Sequence, residues 1–244
     1  MAYSEGRRRS VVSIEDIVSR KGYDRMLAQI VLFDGFDPLD VVAPFEVLEA
    51  GGAASSGALT VELVSAEGPR EVVSGSGGLV LRATASLDPN KADLIIVPGA
   101  AGPISEPEDG RTVDTIPVLL ARTMETDLPA LMRQALDKPK VLVATVCGGS
   151  LALAMAGLLE GRHVVTHHMG MDVLSATGAL PIRARVVDDG DLVTAGGVTS
   201  GLDLGLYLLE RELGPRIARA VEEIFEYERR GTVWQNKGLE AVAL

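Results

Sequence analysis

Short, unbroken apolar runs recur along this chain, each leading through a glycine-rich or polar corner into a stretch patterned as helix. Residues 27–33, 59–66, 93–98 and 141–146 are rich in Val, Ile and Leu and have the length of a strand buried on both faces. Residues 39–50, 151–159, 199–213 and 215–229 carry helix formers between or after them. Such alternation implies a mostly parallel sheet with helices on both faces, an α/β fold. Two hairpins are expected beside it. One spans 71–85 around Gly75-Ser76-Gly77-Gly78, and the other joins 182–188 to 192–195 through Asp189-Gly190. The first helix is expected to close at Gly51-Gly52. The helical region 113–135 is punctuated by Pro117 and Pro129, which start new helices or break old ones. A short strand over 162–167 and a helix over 169–177, stopped by Gly178, complete the reading.

Cys147 is the single cysteine and falls at one of these corners, after 141–146 and before the helical run. A cysteine there projects at the top of the sheet and meets the first free N–H groups of the helix, and both favour a thiolate. Thr145 and Gly149 leave steric room for a sharp turn of the nucleophile-elbow type. The competing reading is a buried cysteine that packs as a small hydrophobe. In open parallel sheets, reactive groups collect beyond the C-terminal ends of strands. Gly99, Cys147 and His167 all stand at expected strand ends, and Asp40 follows the loop after the first strand.

Composition narrows the function classes. With 47% apolar and 23% charged residues, the 244-residue chain has the make-up of an ordinary globular protein. A net charge of −11 disfavours nucleic acid or an anionic membrane as the main partner. No run reaches the roughly 18–20 apolar residues of a membrane span. One cysteine excludes an intramolecular disulfide, and one Cys with three His gives no zinc pattern. A reducing, cytoplasmic setting is expected. Residues 1–25 read as an N-terminal extension, with a short helix capped by Ser13 and no clean export signal. The main domain spans 26–230, and 231–244 form a C-terminal tail.

Six ordered pieces of sequence resemble the DJ-1/PfpI superfamily. They are Leu39-Asp40-Val41-Val42-Ala43-Pro44-Phe45-Glu46, Val97-Pro98-Gly99-Ala100, Thr145-Val146-Cys147-Gly148-Gly149-Ser150, Ala156-Gly157-Leu158-Leu159-Glu160-Gly161-Arg162, Val164-Val165-Thr166-His167 and Thr194-Ala195-Gly196-Gly197-Val198-Thr199. Within the superfamily the chain is similar to isocyanide hydratases and to the sensor domains of AraC-type regulators. The resemblance implies a flavodoxin-like sandwich with a cysteine nucleophile elbow and a homodimer.

The resemblance also implies site roles. Asp40 is placed beside the Cys147 sulfur as an acid/base, where a carboxyl of raised pKa holds the thiolate and passes its proton onward. A helix N-terminal charge is the competing reading of Asp40. The backbone N–H groups of Gly99 and Gly148 are expected to form an oxyanion pocket, with Ala100 where relatives often carry a second glycine. His167 orients or deprotonates a group in the pocket, or is structural; His168 is expected to point the opposite way. Isocyanide hydratases commonly carry Cys-Thr, whereas this chain has Cys147-Gly148.

The function expected is addition of water to an isocyanide, a small-molecule substrate, through a Cys147 thioimidate with no metal or organic cofactor. The alternatives are glyoxalase-like chemistry on a small reactive carbonyl and a non-catalytic thiol or ligand sensor. Only about thirty residues follow Leu213, too few for the DNA-binding module of AraC-type relatives. Residues 106–129 are expected to lid the pocket, to cover a dimer surface or to form a solvated insertion, and Trp234 to pack across a partner subunit.

Overall fold

The computed structural model describes residues 25–107 and 113–239. The expected N-terminal helix capped by Ser13, part of the 106–129 segment and the last five residues of the tail lie outside them. An eight-stranded sheet runs through the molecule. Its centre is β6 (Leu94–Val97) and β7 (Leu142–Val146), in which every residue is buried. Beside β6 lie β1 (Met26–Val31), β2 (Leu59–Ser65) and β5 (Ala85–Ser86), all in parallel pairing. On the other side β11 (Leu192–Ala195) pairs parallel with β7, and β10 (Val186–Asp188) pairs antiparallel with β11 through the expected Asp189-Gly190 turn. A further hairpin, β3 (Arg70–Val73) with β4 (Val80–Ala83), encloses the glycine-rich turn.

Strand alternation divides the core into two layers, because successive side chains point to opposite faces. Ile30, Ile96 and Ala144 face α1 (Pro38–Ala54), α6 (Ser200–Leu213) and α7 (Pro215–Phe225). Val31, Ile95, Val97 and Val143 face α3 (Leu128–Leu136), α4 (Gly149–Met155) and α5 (Met171–Ala176). The region of the two prolines contains α2 (Ile116–Arg122), a 3-10 turn and α3. Pro117 and Pro129 each lie in a first helical turn, where the missing N–H costs nothing.

Two local expectations are corrected. Helix α1 does not close at Gly51-Gly52 but runs on to Ala54. A Cβ at Gly51 would stand 2.2 Å from Leu209, and one at Gly205 would stand 2.8 Å from Val47, so these glycines let α1 and α6 approach closely. The strand expected over 162–167 is confined to β8 (His163–Val164), paired with β9 (Leu180–Pro181), and the chain then turns into a 3-10 segment. Trp234 lies in β12 (Trp234–Gln235), which pairs with β10, and its ring stands 5.0 Å from that of His163. Among the described residues no helix is long and apolar enough to cross a membrane.

Candidate active site

Cys147 occupies the turn between β7 and α4 with φ at +54°, the left-handed region. That conformation costs a non-glycine residue about 1–2 kcal/mol. Hydrogen bonds on both sides hold it there. The Cys147 N–H donates to the carbonyls of Ala195 and Gly196, each at 3.0 Å, and its carbonyl accepts the Thr166 hydroxyl at 2.7 Å. Beneath it the buried hydroxyls of Thr145 and Ser150 lie 2.6 Å apart, and Ser150 donates to the Val165 carbonyl at 2.7 Å. The corner is thereby tied to β11 and to the segment around Thr166.

Asp40 lies in the first turn of α1 and is fully buried. A chain of backbone contacts positions it. Asp37 caps α1 by accepting the Leu39 N–H at 2.9 Å; its own N–H donates to the Gly99 carbonyl at 2.9 Å. The Gly99 N–H then donates to Asp40 Oδ2 at 2.9 Å. Asp40 Oδ1 is buried without a hydrogen-bond partner. Burial first, then the nearby Asp37 charge, pushes the carboxyl up to about 8, against the opposing pull of the Gly99 N–H and the Cys147 side chain. Near neutral pH Asp40 therefore holds its proton.

The thiol departs from expectation. Burial, followed by the Asp40 charge, raises Cys147 to about 12, although the Val198 and Gly148 N–H groups that face the sulfur pull the other way. The sulfur is not a free thiolate at neutral pH, because two amide dipoles do not offset removal from water. Burial thus favours the protonated form of both members of the Cys147–Asp40 pair. The Gly99 N–H donates to Asp40, and the amides that face the sulfur are those of Gly148 and Val198. A Cβ at Gly99 would stand 2.5 Å from the Gly148 nitrogen and 2.9 Å from Asp40 Oδ2, so only glycine fits there. Ala100 bridges Phe36 and has no positive φ, which removes the need for a second glycine. At Gly148 a Cβ would meet only ordinary contacts of 3.4 Å and beyond, so space does not exclude a larger residue.

His167 caps the 3-10 segment, accepting the Met169 N–H at Nδ1 over 3.3 Å. Its ring lies 4.3 Å from that of His168, contrary to the expected opposite orientation, because the chain turns here instead of continuing extended. Burial, then the neighbouring His168, pushes the His167 pKa down. Both histidines line a cavity of about 770 Å³, together with Val165, Arg183, Arg185 and the loop from Gly196 to Ser200. Neither the Cys147 sulfur nor Asp40 lines it. Val198 stands between, bordering the cavity while its N–H faces the sulfur.

Val198 has φ at +26°, unusual for a β-branched residue. Arg185 braces this loop. Its carbonyl accepts the Gly196 N–H at 3.0 Å, its Nη2 donates to Thr199 Oγ1 at 2.8 Å, and its Nε meets Asp203 Oδ2 at 2.5 Å. Sequence reasoning missed Val198, Arg183 and Arg185. The only signal for the loop was the run Gly196-Gly197-Val198-Thr199. Among the described residues no cluster of His, Cys, Asp and Glu is arranged to hold a metal ion.

Residues 118–211 match the DJ-1/PfpI family. The chain is 35% identical over 198 residues to an isonitrile hydratase of Pseudomonas putida, covering 81% of this chain and 76% of that protein. It is 27% identical to protein DJ-1 homolog A of Arabidopsis thaliana and 28% identical to the HTH-type transcriptional regulator CdhR of Pseudomonas aeruginosa, each match covering 80% of this chain. It spans 45% and 53% of their lengths. Among solved structures, a THiJ/PfpI family protein from Pseudomonas syringae aligns at TM-score 0.67 and 25% identity, covering 85% of this chain and 77% of that one. Drosophila melanogaster DJ-1beta has the same fold, at TM-score 0.68 and 18% identity, with 84% and 100% covered. With its parallel sheet, its cysteine corner and a relative of this similarity over most of both lengths, the chain belongs to the DJ-1/PfpI family.

Proposed function

We propose that this protein is a cofactor-independent hydratase that adds water to an isocyanide and releases an N-substituted formamide. The observation that carries the reading is the buried pair: a carboxyl held by the Gly99 N–H with its second oxygen unpartnered, beside the Cys147 thiol. The similarity to an isonitrile hydratase supplies the reaction class.

The protonated pair suits this chemistry. Asp40 delivers its proton to the terminal isocyanide carbon while the sulfur bonds to the same carbon, and the S–H proton passes to the Asp40 carboxylate. The product is a thioimidate. Water then adds to that carbon as Asp40 protonates the nitrogen and takes a proton from the water. The carbon–sulfur bond breaks, the hydroxyl proton returns to sulfur, and the formamide leaves. The Gly148 and Val198 amides stabilise negative charge on sulfur as it develops.

A second reading, glyoxalase-like chemistry on a small dicarbonyl, is favoured by one observation: the neighbouring cavity carries donors, Arg183 and the two histidines, and not apolar side chains alone. A thiol sensor draws less support, since Cys147 is 7% exposed and its pKa is raised. The test is turnover of alkyl and aryl isocyanides beside methylglyoxal, with formamide release followed by chromatography. Formamide from wild type and none from Cys147→Ala is expected. Turnover of methylglyoxal alone would transfer the site to the second reading.

A further inference from the structure

Thirty-four acidic residues give this chain a net charge of −11, yet none lines the cavity beside Val198. The lining holds Arg183, Arg185, His167 and His168 instead. Arg185 is already neutralised by Asp203. Arg183 is exposed and has no ion-pair partner among the described residues. Val165, Met171, Ala184 and Val198 add apolar side chains to the lining. Its volume of about 770 Å³ is ample for a small molecule with a side chain.

From this arrangement we propose that the cavity is a carboxylate subsite, in which Arg183 binds an acidic substituent of the substrate while the reacting group turns past Val198 to Cys147. The inference rests on the hydratase reading and narrows it: the substrate class becomes isocyanides that carry a carboxylate, with a short aliphatic chain against Val165, Met171 and Ala184. One uncommitted guanidinium favours a single planar anion, which it grips through two parallel N–H donors. Thr199 and Ser200 also line the cavity, the Thr199 hydroxyl accepting from Arg185 and the Ser200 hydroxyl donating to the Gly197 carbonyl.

Direct binding and turnover test the two levels separately. N-formyl-β-alanine, the hydration product of 3-isocyanopropanoate, is titrated calorimetrically into Cys147→Ala protein, with neutral N-propylformamide as control. The carboxylate is expected to bind at least about tenfold more tightly, as loss of a charge-assisted hydrogen bond predicts. Arg183→Gln is expected to erase the difference and Arg183→Lys to restore part of it. In parallel, the ratio of kcat/KM for 3-isocyanopropanoate over propyl isocyanide falls at least about tenfold in Arg183→Gln. Circular dichroism and urea unfolding check that each variant is folded. Equal binding of charged and neutral ligands, or a preference untouched by Arg183→Gln, overturns the subsite. Carboxylate binding that depends on Arg183, without turnover of either isocyanide, leaves the subsite standing and sinks the hydratase reading alone.

Discussion

Asp40 and Asp203 are both buried aspartates in the first turns of helices that pack on each other, yet their surroundings are opposite. Asp203 is fully engaged. It receives Arg185 Nε at 2.5 Å, the Tyr227 hydroxyl at 3.1 Å to both oxygens and the Arg230 N–H at 2.7 Å. Asp40 receives one amide N–H, and its other oxygen has no partner. The first arrangement pins the chain segment after α7 to the loop that borders the cavity. The second keeps a proton on a buried acid. A satisfied buried charge does structural work, whereas an unsatisfied one stores proton affinity for chemistry.

The sharpest way to break this contrast is to exchange the outcomes. Cys147→Ala is expected to lower isocyanide turnover at least about 10³-fold, and Asp40→Asn about 10²–10⁴-fold, with folding retained. Asp203→Ala should do the reverse, costing about 3–5 kcal/mol in urea unfolding because Arg185, Tyr227 and the Arg230 amide lose their shared acceptor. If Asp203→Ala unfolds no more easily than a surface variant, its structural assignment is wrong.

Acidity distinguishes the two sites next. The Asp40 carboxyl is raised from 3.8 to about 8 on folding, so between those values the folded state keeps a proton that the unfolded chain has released. Its contribution to stability is complete below the unfolded value and declines until the pH passes the folded one, at roughly 1 kcal/mol per pH unit. Asp40→Asn should therefore be relatively more stable than wild type at pH 8 than at pH 4, read from melting temperatures. Wild-type kcat/KM should fall as the pH rises through about 8, as Asp40 loses the proton it must deliver. The smallest effect belongs to the brace between the sites. Thr199→Val removes the 2.8 Å bond from Arg185 and is expected to cost about 1 kcal/mol of stability. It should also slow alkylation of Cys147 by iodoacetamide a few-fold, through looser seating of the Val198 amide; an unchanged alkylation rate would remove Arg185 and Thr199 from the argument.

Much of the fold was legible because it is written locally. The runs 93–98 and 141–146 are too apolar for an exposed surface and too short for helices, and both became central strands. Asp189-Gly190 made its hairpin because that pair tolerates the turn. Gly51-Gly52 misled for the converse reason: whether glycine ends a helix or admits a neighbour depends on what packs there, and here it is Leu209. His167 and His168 misled because the strand stops at Val164 and the chain turns into a 3-10 segment from His168.

For the site, the sequence by itself determined that a lone cysteine sits at a strand-to-helix corner, with an aspartate just past the loop after the first strand. Strand and helix patterns set those positions, since periodicity and turn chemistry act over a few residues. Only the tertiary structure decided the protonation of Cys147 and Asp40, the diversion of the Gly99 amide to hold the acid, and the seating of Val198 against the sulfur. Desolvation and hydrogen-bond geometry arise from segments far apart in the chain, and no local pattern of residues encodes them.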